Sequence, residues 1–166
     1  MPILQIQNGP MPTTASFAAV TTGTGIKTML QLKPFNVGRI IEWGISFDGT
    51  AVATPIECEL LHTGTVFATV TAHADADIFK VDGAEGAVAS IQGLTLGTAA
   101  TGYTSSAEGS ITVTNLFDTQ FIAPTNQYIH EWAEDLAPKL IIGNCYRIRV
   151  KAGAAVNAIC YMKVKF

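Results

Sequence analysis

Tyr146-Arg-Ile-Arg-Val-Lys-Ala-Gly-Ala-Ala-Val-Asn-Ala-Ile-Cys-Tyr-Met-Lys-Val-Lys-Phe166 decides the fold class. Tyr146, Ile148 and Val150 share one parity, and Arg147, Arg149 and Lys151 share the other. After Ala152-Gly-Ala-Ala, which reads as a turn, Cys160, Met162, Val164 and Phe166 alternate with Tyr161, Lys163 and Lys165. A period of two puts successive side chains on opposite faces of a strand, so each segment reads as a half-buried β-strand with an apolar and a polar face.

The same rhythm recurs upstream. Ile41, Trp43, Ile45 and Phe47 oppose Glu42, Gly44 and Ser46, and Asp48-Gly49 follows as a turn signal. Ile56, Cys58 and Leu60 then alternate with Glu57 and Glu59, and the connection between these strands favours their direct pairing. Further strands are predicted at Ser16–Val20, Ile26–Leu32, Thr65–Val70, Ser110–Asn115, Gln120–Ala123 and Gln127–Trp132. Helical periodicity is almost absent. About nine short strands with frequent turn signals predict an all-β antiparallel β-sandwich, a jelly roll or related Greek key, in one domain. Two stretches break the rhythm. Residues 1–14, with Pro2, Pro10 and Pro12, read as an extended N-terminal arm, leaving residues 15–166 for the sandwich. Residues 71–107 read as a long insertion loop, well past ordinary connection lengths, of a kind that reaches to a neighbouring subunit.

Charged residues are 14% of the 166 against a usual value of about 25%, with Thr, Ala and Gly filling the difference. Such an uncharged surface points to partial covering by another chain. The formal net charge of −3 supplies no attraction for nucleic acid or an acidic membrane surface. From Lys139 to the end there are six bases and no acid, while Asp75–Glu85 holds four acids and one base. The longest uncharged run is too interrupted by Gly and Thr for a spanning helix, so no membrane partner is expected. Three cysteines, Cys58, Cys145 and Cys160, argue for a reducing compartment during synthesis, and the N-terminus lacks the basic region of a signal peptide. The expectation is a soluble protein made in a cytoplasm.

Candidate chemistry is sparse. Glu57 and Glu59 share one strand face, as paired acid and base carboxylates would, but every strand here has such a polar face. Cys58 and His62 lie four residues apart on a strand, about 13 Å, too far for one metal ion. The acidic segment Asp75-Ala-Asp-Ile-Phe-Lys-Val-Asp82 lacks the ligand spacing of a calcium loop. No Gly-x-Ser-x-Gly elbow occurs, Cys145 has no sequence-evident His partner, and the Gly-rich segments do not open helices. The reading is therefore a binding protein, not an enzyme, with no cofactor or metal. Its interface candidates are Ile3, Leu4 and Ile6 of the arm, Asp75, Asp77 and Asp82 of the acidic loop, and the basic row Arg147, Arg149 and Lys151.

Gly38-Arg-Ile-Ile-Glu-Trp-Gly-Ile-Ser-Phe-Asp-Gly49, Leu96-Gly-Thr-Ala-Ala-Thr-Gly-Tyr-Thr-Ser-Ser-Ala-Glu-Gly109, Phe121-Ile-Ala-Pro-Thr-Asn-Gln-Tyr128 and Tyr146-Arg-Ile-Arg-Val150 together resemble small β-rich virion proteins of tailed bacteriophages. The resemblance implies a capsid decoration or cement protein, a homotrimer bound to the major capsid protein lattice on the virion surface and made in the host cytoplasm. The alternative is a carbohydrate-binding, lectin-like sandwich of a phage tail or fibre, with Trp132, Tyr103, Tyr128 and Tyr161 as stacking platforms.

Overall fold

The computed structural model describes residues 2–10, 14–50, 54–81 and 93–166. Thirteen strands lie along them: β1 (Ile3–Gln7), β2 (Val20–Thr21), β3 (Gly25–Leu32), β4 (Gly38–Phe47), β5 (Ile56–His62), β6 (Thr69–Ala72), β7 (Phe79–Lys80), β8 (Gly102–Ala107), β9 (Asn115–Ile122), β10 (Gln127–Glu131), β11 (Lys139–Leu140), β12 (Tyr146–Ala152) and β13 (Asn157–Lys165). A single 3₁₀ turn, η1 (Asp75–Asp77), is the one helical element among the described residues.

The strands form two antiparallel sheets, ordered β10-β4-β13-β1-β7 and β6-β8-β3-β12-β5-β9. Taken without the inserted β6, β7 and β8, the eight longer strands form β10-β4-β13-β1 facing β3-β12-β5-β9. That is an eight-stranded jelly roll, the architecture expected from the alternation. Trp43, Ile45, Cys58, Leu60, Ile148, Val150, Cys160, Met162 and Val164 fill the space between the sheets. Each large apolar side chain so buried contributes roughly 1.5–3 kcal/mol over exposure.

Several details differ from the alternation. β4 and β5 do not pair; the chain crosses from one sheet to the other between them, as jelly-roll connectivity requires. Lys163 pairs with Glu42 but Val164 pairs with Ile40, so Ile41 is an extra residue in β4. This bulge reverses the parity at the strand's start, burying Ile40 and leaving Ile41 only half buried. The segment 16–19 is not a strand, nor is 110–114, whereas Gly102–Ala107 is one. Gly102 passes so close to β6 that a Cβ there would sit 2.5 Å from a Val70 methyl and closer still to the Thr71 carbonyl.

The N-terminal arm is a correction. Ile3–Gln7 pairs with β13 along its whole length, from Ile3 opposite Lys165 to Gln7 opposite Tyr161, and with β7 on its other side. Leu4 and Ile6 are fully buried in this chain's own core, so they are unavailable as interface residues; Ile3 is half buried. The long loop 71–107 also contains order: it starts within β6, continues through η1 and β7, and ends in β8, while residues 82–92 lie outside the described residues.

Candidate functional site

The polar parity of β3 and β12 is covered at Gln31 and Arg147. The chain after β5 turns back over the outer face of its own sheet, with Thr63 N donating to Cys145 O at 2.9 Å and Cys145 N to Gly64 O at 2.8 Å. Gln31 closes the next link, its Nε2 donating to Ala100 O at 2.7 Å and its Oε1 accepting from Ala68 N at 2.8 Å. Arg147 lies beneath this strap at 0% exposure. Its Nη2 donates to Val66 O (2.7 Å), and its Nη1 to Glu108 O (3.0 Å) and Glu108 Oε2 (3.2 Å). Glu108 also accepts from the Thr28 amide and hydroxyl, each at 2.6 Å. Arg147 is thus an internal strut, and its place in an exposed basic row is a correction: outward parity means solvent only where nothing covers the sheet.

Of the rest of that row, Arg149 is paired within the molecule and Lys151 is exposed. Arg149 Nε donates to Glu59 Oε1 at 2.5 Å, and Lys151 is exposed opposite Glu57 in the register. On the other sheet, Lys163 Nζ donates to Glu42 Oε2 at 2.9 Å, and the Tyr161 hydroxyl donates to the same carboxylate. Burial alone would raise the Glu42 carboxyl, but Lys163 and Tyr161 outweigh it and hold it below its ordinary value. Glu42 and Glu59 therefore face bases of neighbouring strands. Asp77 accepts from Ala74 N at 2.9 Å, Asp75 lies partly exposed in the same turn, and Asp82 falls outside the described residues.

A second polar cluster lies on the lateral seam where β9 and β10, edges of opposite sheets, face each other. Asp118 Oδ2 accepts from Tyr128 OH at 2.9 Å and from the buried Trp43 Nε1 at 3.1 Å, and its Oδ1 accepts from Gln120 Nε2 at 3.1 Å. His130 Nδ1 lies 3.5 Å from the carboxylate and 3.1 Å from the Tyr128 hydroxyl, and the Trp132 ring rests on His130 with centroids 4.3 Å apart. Burial and then the Asp118 carboxylate push the Tyr128 phenol up to about 12, so it serves as a donor and not as an acid. Because Trp43 belongs to β4 and Asp118 to β9, the cluster ties the two sheets together. Asp118→Ala leaves a buried indole N–H without its acceptor and is expected to cost about 1–3 kcal/mol in urea unfolding, while Asp118→Asn retains an acceptor oxygen and costs less.

The three thiols are buried and free. Burial, reinforced by Glu57 and Glu59, pushes Cys58 up to about 12; burial also raises Cys145 and Cys160, in Cys145 against the pull of Arg147. None is held as a thiolate, the form a nucleophile or metal ligand needs. No group of three or more His, Cys, Asp or Glu side chains converges for a metal among the described residues. No helix among them is long and apolar enough to cross a membrane.

Apolar side chains, by contrast, are left outside at one end of the sandwich. β11 pairs with the start of β4, Lys139 opposite Arg39 and Leu140 opposite Gly38, and Gly143 N donates to Pro34 O at 2.8 Å. Between these two ties the segments 35–37 and 141–142 run side by side. They carry Phe35, Val37, Ile141 and Ile142, exposed at 41%, 67%, 55% and 57%. The platform is fixed from beneath: the buried Tyr146 hydroxyl accepts from Ile141 N at 2.7 Å and donates to Lys139 O at 2.9 Å. Beside it is a cleft lined by Val37, Gly38, Leu140, Arg39, Lys139, Lys165 and Glu134. Sequence reading missed this platform because isolated apolar residues in loops carry no periodic signal.

Fold and site define an all-β jelly roll in which Arg147, Arg149, Lys163 and Lys165 pair with acids of the same chain, and in which apolar side chains stand exposed at one end. Comparison with protein-family models, with curated proteins and with solved structures finds no match to the chain.

Proposed function

We propose that the chain is a structural virion protein of the capsid decoration or cement kind, which self-associates and binds the major capsid lattice. The observation that carries this reading is the group of exposed apolar side chains Phe35, Val37, Ile141 and Ile142, of which Val37 borders a cleft lined by Arg39, Lys139, Lys165 and Glu134. A fixed apolar centre with a charged rim is the anatomy of a protein-binding surface, and a preorganised one avoids an ordering cost on binding. Jelly rolls serve viral capsid and lectin domains alike, so the architecture supports the reading only by analogy and the surface carries the weight. Binding to a lattice of many identical sites would stabilise the shell by mass action.

The lectin-like alternative draws less support. Tyr128 and Tyr161 have their hydroxyls committed to Asp118 and Glu42, Tyr103 packs on His73, and one face of Trp132 rests on His130.

In co-sedimentation with shells lacking the protein, wild type is expected to pellet saturably. Ile142→Asp, which places an acid on the exposed apolar platform, is expected to lower apparent affinity by about tenfold or more without changing the melting temperature. Equal pelleting of wild type and Ile142→Asp would remove the platform from the account, and wild type remaining in the supernatant would remove the capsid reading.

A further inference from the structure

We propose that the outer edge of β9 is a self-association site, where two copies of the chain pair antiparallel about a two-fold axis. This deepens the self-association in the reading above but stands on separate residues. β9 closes its sheet with β5 on one side and no strand on the other among the described residues. It is the longest open edge among them: β9 has eight residues, against five in β10, four in β6 and two in β7. An open edge presents a row of backbone donors and acceptors, and soluble proteins guard such rows with Lys, Pro, bulges or charge.

The guards on β9 are few. Asn115–Ile122 contains no Lys, Arg or Pro, and its one charge, Asp118, already has partners inside the molecule. Covering the edge therefore leaves no carboxylate without a partner. The pairing with β5 steps from Leu60 opposite Asp118 to Leu61 opposite Leu116, so Phe117 is a bulge. By that step Leu116 and Phe121 both face outward, at opposite ends of the strand, exposed at 50% and 75%. Residues 118–122 between them run regularly.

The occupant that fits is a second copy. Antiparallel pairing keeps directly opposed residues on one face, so a two-fold must pass through a residue and not between two. With Thr119 on the axis, Asp118 of one copy lies opposite Gln120 of the other, and no like charges meet. Phe121 of each copy then reaches the Leu116–Phe117 end of its mate, so the two apolar ends cover each other twice. A foreign strand would have to supply an apolar residue at both ends and no acid beside Asp118; the chain's own β9 meets both conditions by symmetry.

Analytical ultracentrifugation of the purified full chain tests this, with far-UV circular dichroism and melting temperature confirming that each variant folds. Wild type is expected at twice the chain mass. Thr119→Lys sets two ammonium groups against each other at the axis and Phe121→Lys removes the apolar contact, and each is expected to raise the dissociation constant about tenfold or more. Ile26→Lys, on an exposed apolar residue of β3, is expected to remain dimeric. A monomeric wild type, a trimeric one, or a dimer indifferent to both substitutions would overturn the pairing. The two proposals fail separately: a dimer that does not pellet with shells removes only the capsid reading, and a pelleting protein unaffected by Thr119→Lys removes only the edge.

Discussion

Arg147→Ala is expected to lower the free energy of unfolding by about 3–5 kcal/mol, the range for breaking a buried ion pair by removing one partner. The substitution removes the donor to Val66 O and both donors to Glu108, and leaves a void under the strap. Glu108 keeps the Thr28 amide and hydroxyl, but its carboxylate, with a side chain one quarter exposed, then loses its ion-pair partner. Replacing both members by apolar residues of similar volume is expected to cost far less than the sum of the single changes, because a buried pair returns little beyond its own desolvation. Arg147→Lys cannot reach both the Val66 and Glu108 oxygens from one point charge and should fall between wild type and Ala. Urea unfolding of the two singles and the double gives the coupling. Additive losses would show that the pair does not act as a unit.

The second large effect is an acid limb in stability from His73. Its side chain is fully buried beside η1, with the ring against Tyr103 at 4.9 Å and Nδ1 4.0 Å from Asp77 Oδ2. Neither ring nitrogen has a hydrogen-bond partner, although the Gln7 backbone approaches the ring. Burial dominates, and the imidazole is pushed down from 6.5 to about 4 despite the nearby Asp77. The unfolded chain therefore binds a proton more readily than the folded one between those values. Stability is whole above pH 6.5, falls as pH drops from 6.5 toward 4, and then levels, a loss of about 3 kcal/mol from this residue. His73→Phe keeps the ring contact with Tyr103 and removes two unsatisfied nitrogens, so it is expected to be at least as stable as wild type at pH 7 and to lose less on acidification. Melts at pH 7 and pH 4.5 compare the two proteins. An identical acid loss in His73→Phe would contradict the assignment.

Sequence alternation was enough for the all-β class and the two-sheet sandwich because an antiparallel sandwich wets one face of each strand and buries the other. It failed where that premise failed. The start of the outward face of β12 is roofed by the chain's own strap, so Arg147 has outward parity and no exposure. One extra residue at Ile41 reverses the parity of the start of β4, and no composition marks such a bulge. Ile3–Gln7 is too short a run to show its period beside three prolines, and its place depends on β13, more than 150 residues away. The site was less legible than the fold. The acids of β4 and β5 were taken for a polar face, but their partners, Lys163 for Glu42 and Arg149 for Glu59, follow from strand order, and strand order is a long-range property. The apolar platform of residues 35–37 and 141–142 depends on two loops from distant parts of the chain meeting beside β11.

The most direct test of the central proposal, a jelly roll that works by covering a shell with its apolar platform, is a cryo-EM map of particles carrying the protein. Ordered copies of the sandwich are expected on the outer capsid surface, each with Phe35, Val37, Ile141 and Ile142 against the lattice. A capsid surface bare of the sandwich, or copies seated with that platform facing solvent, would contradict it.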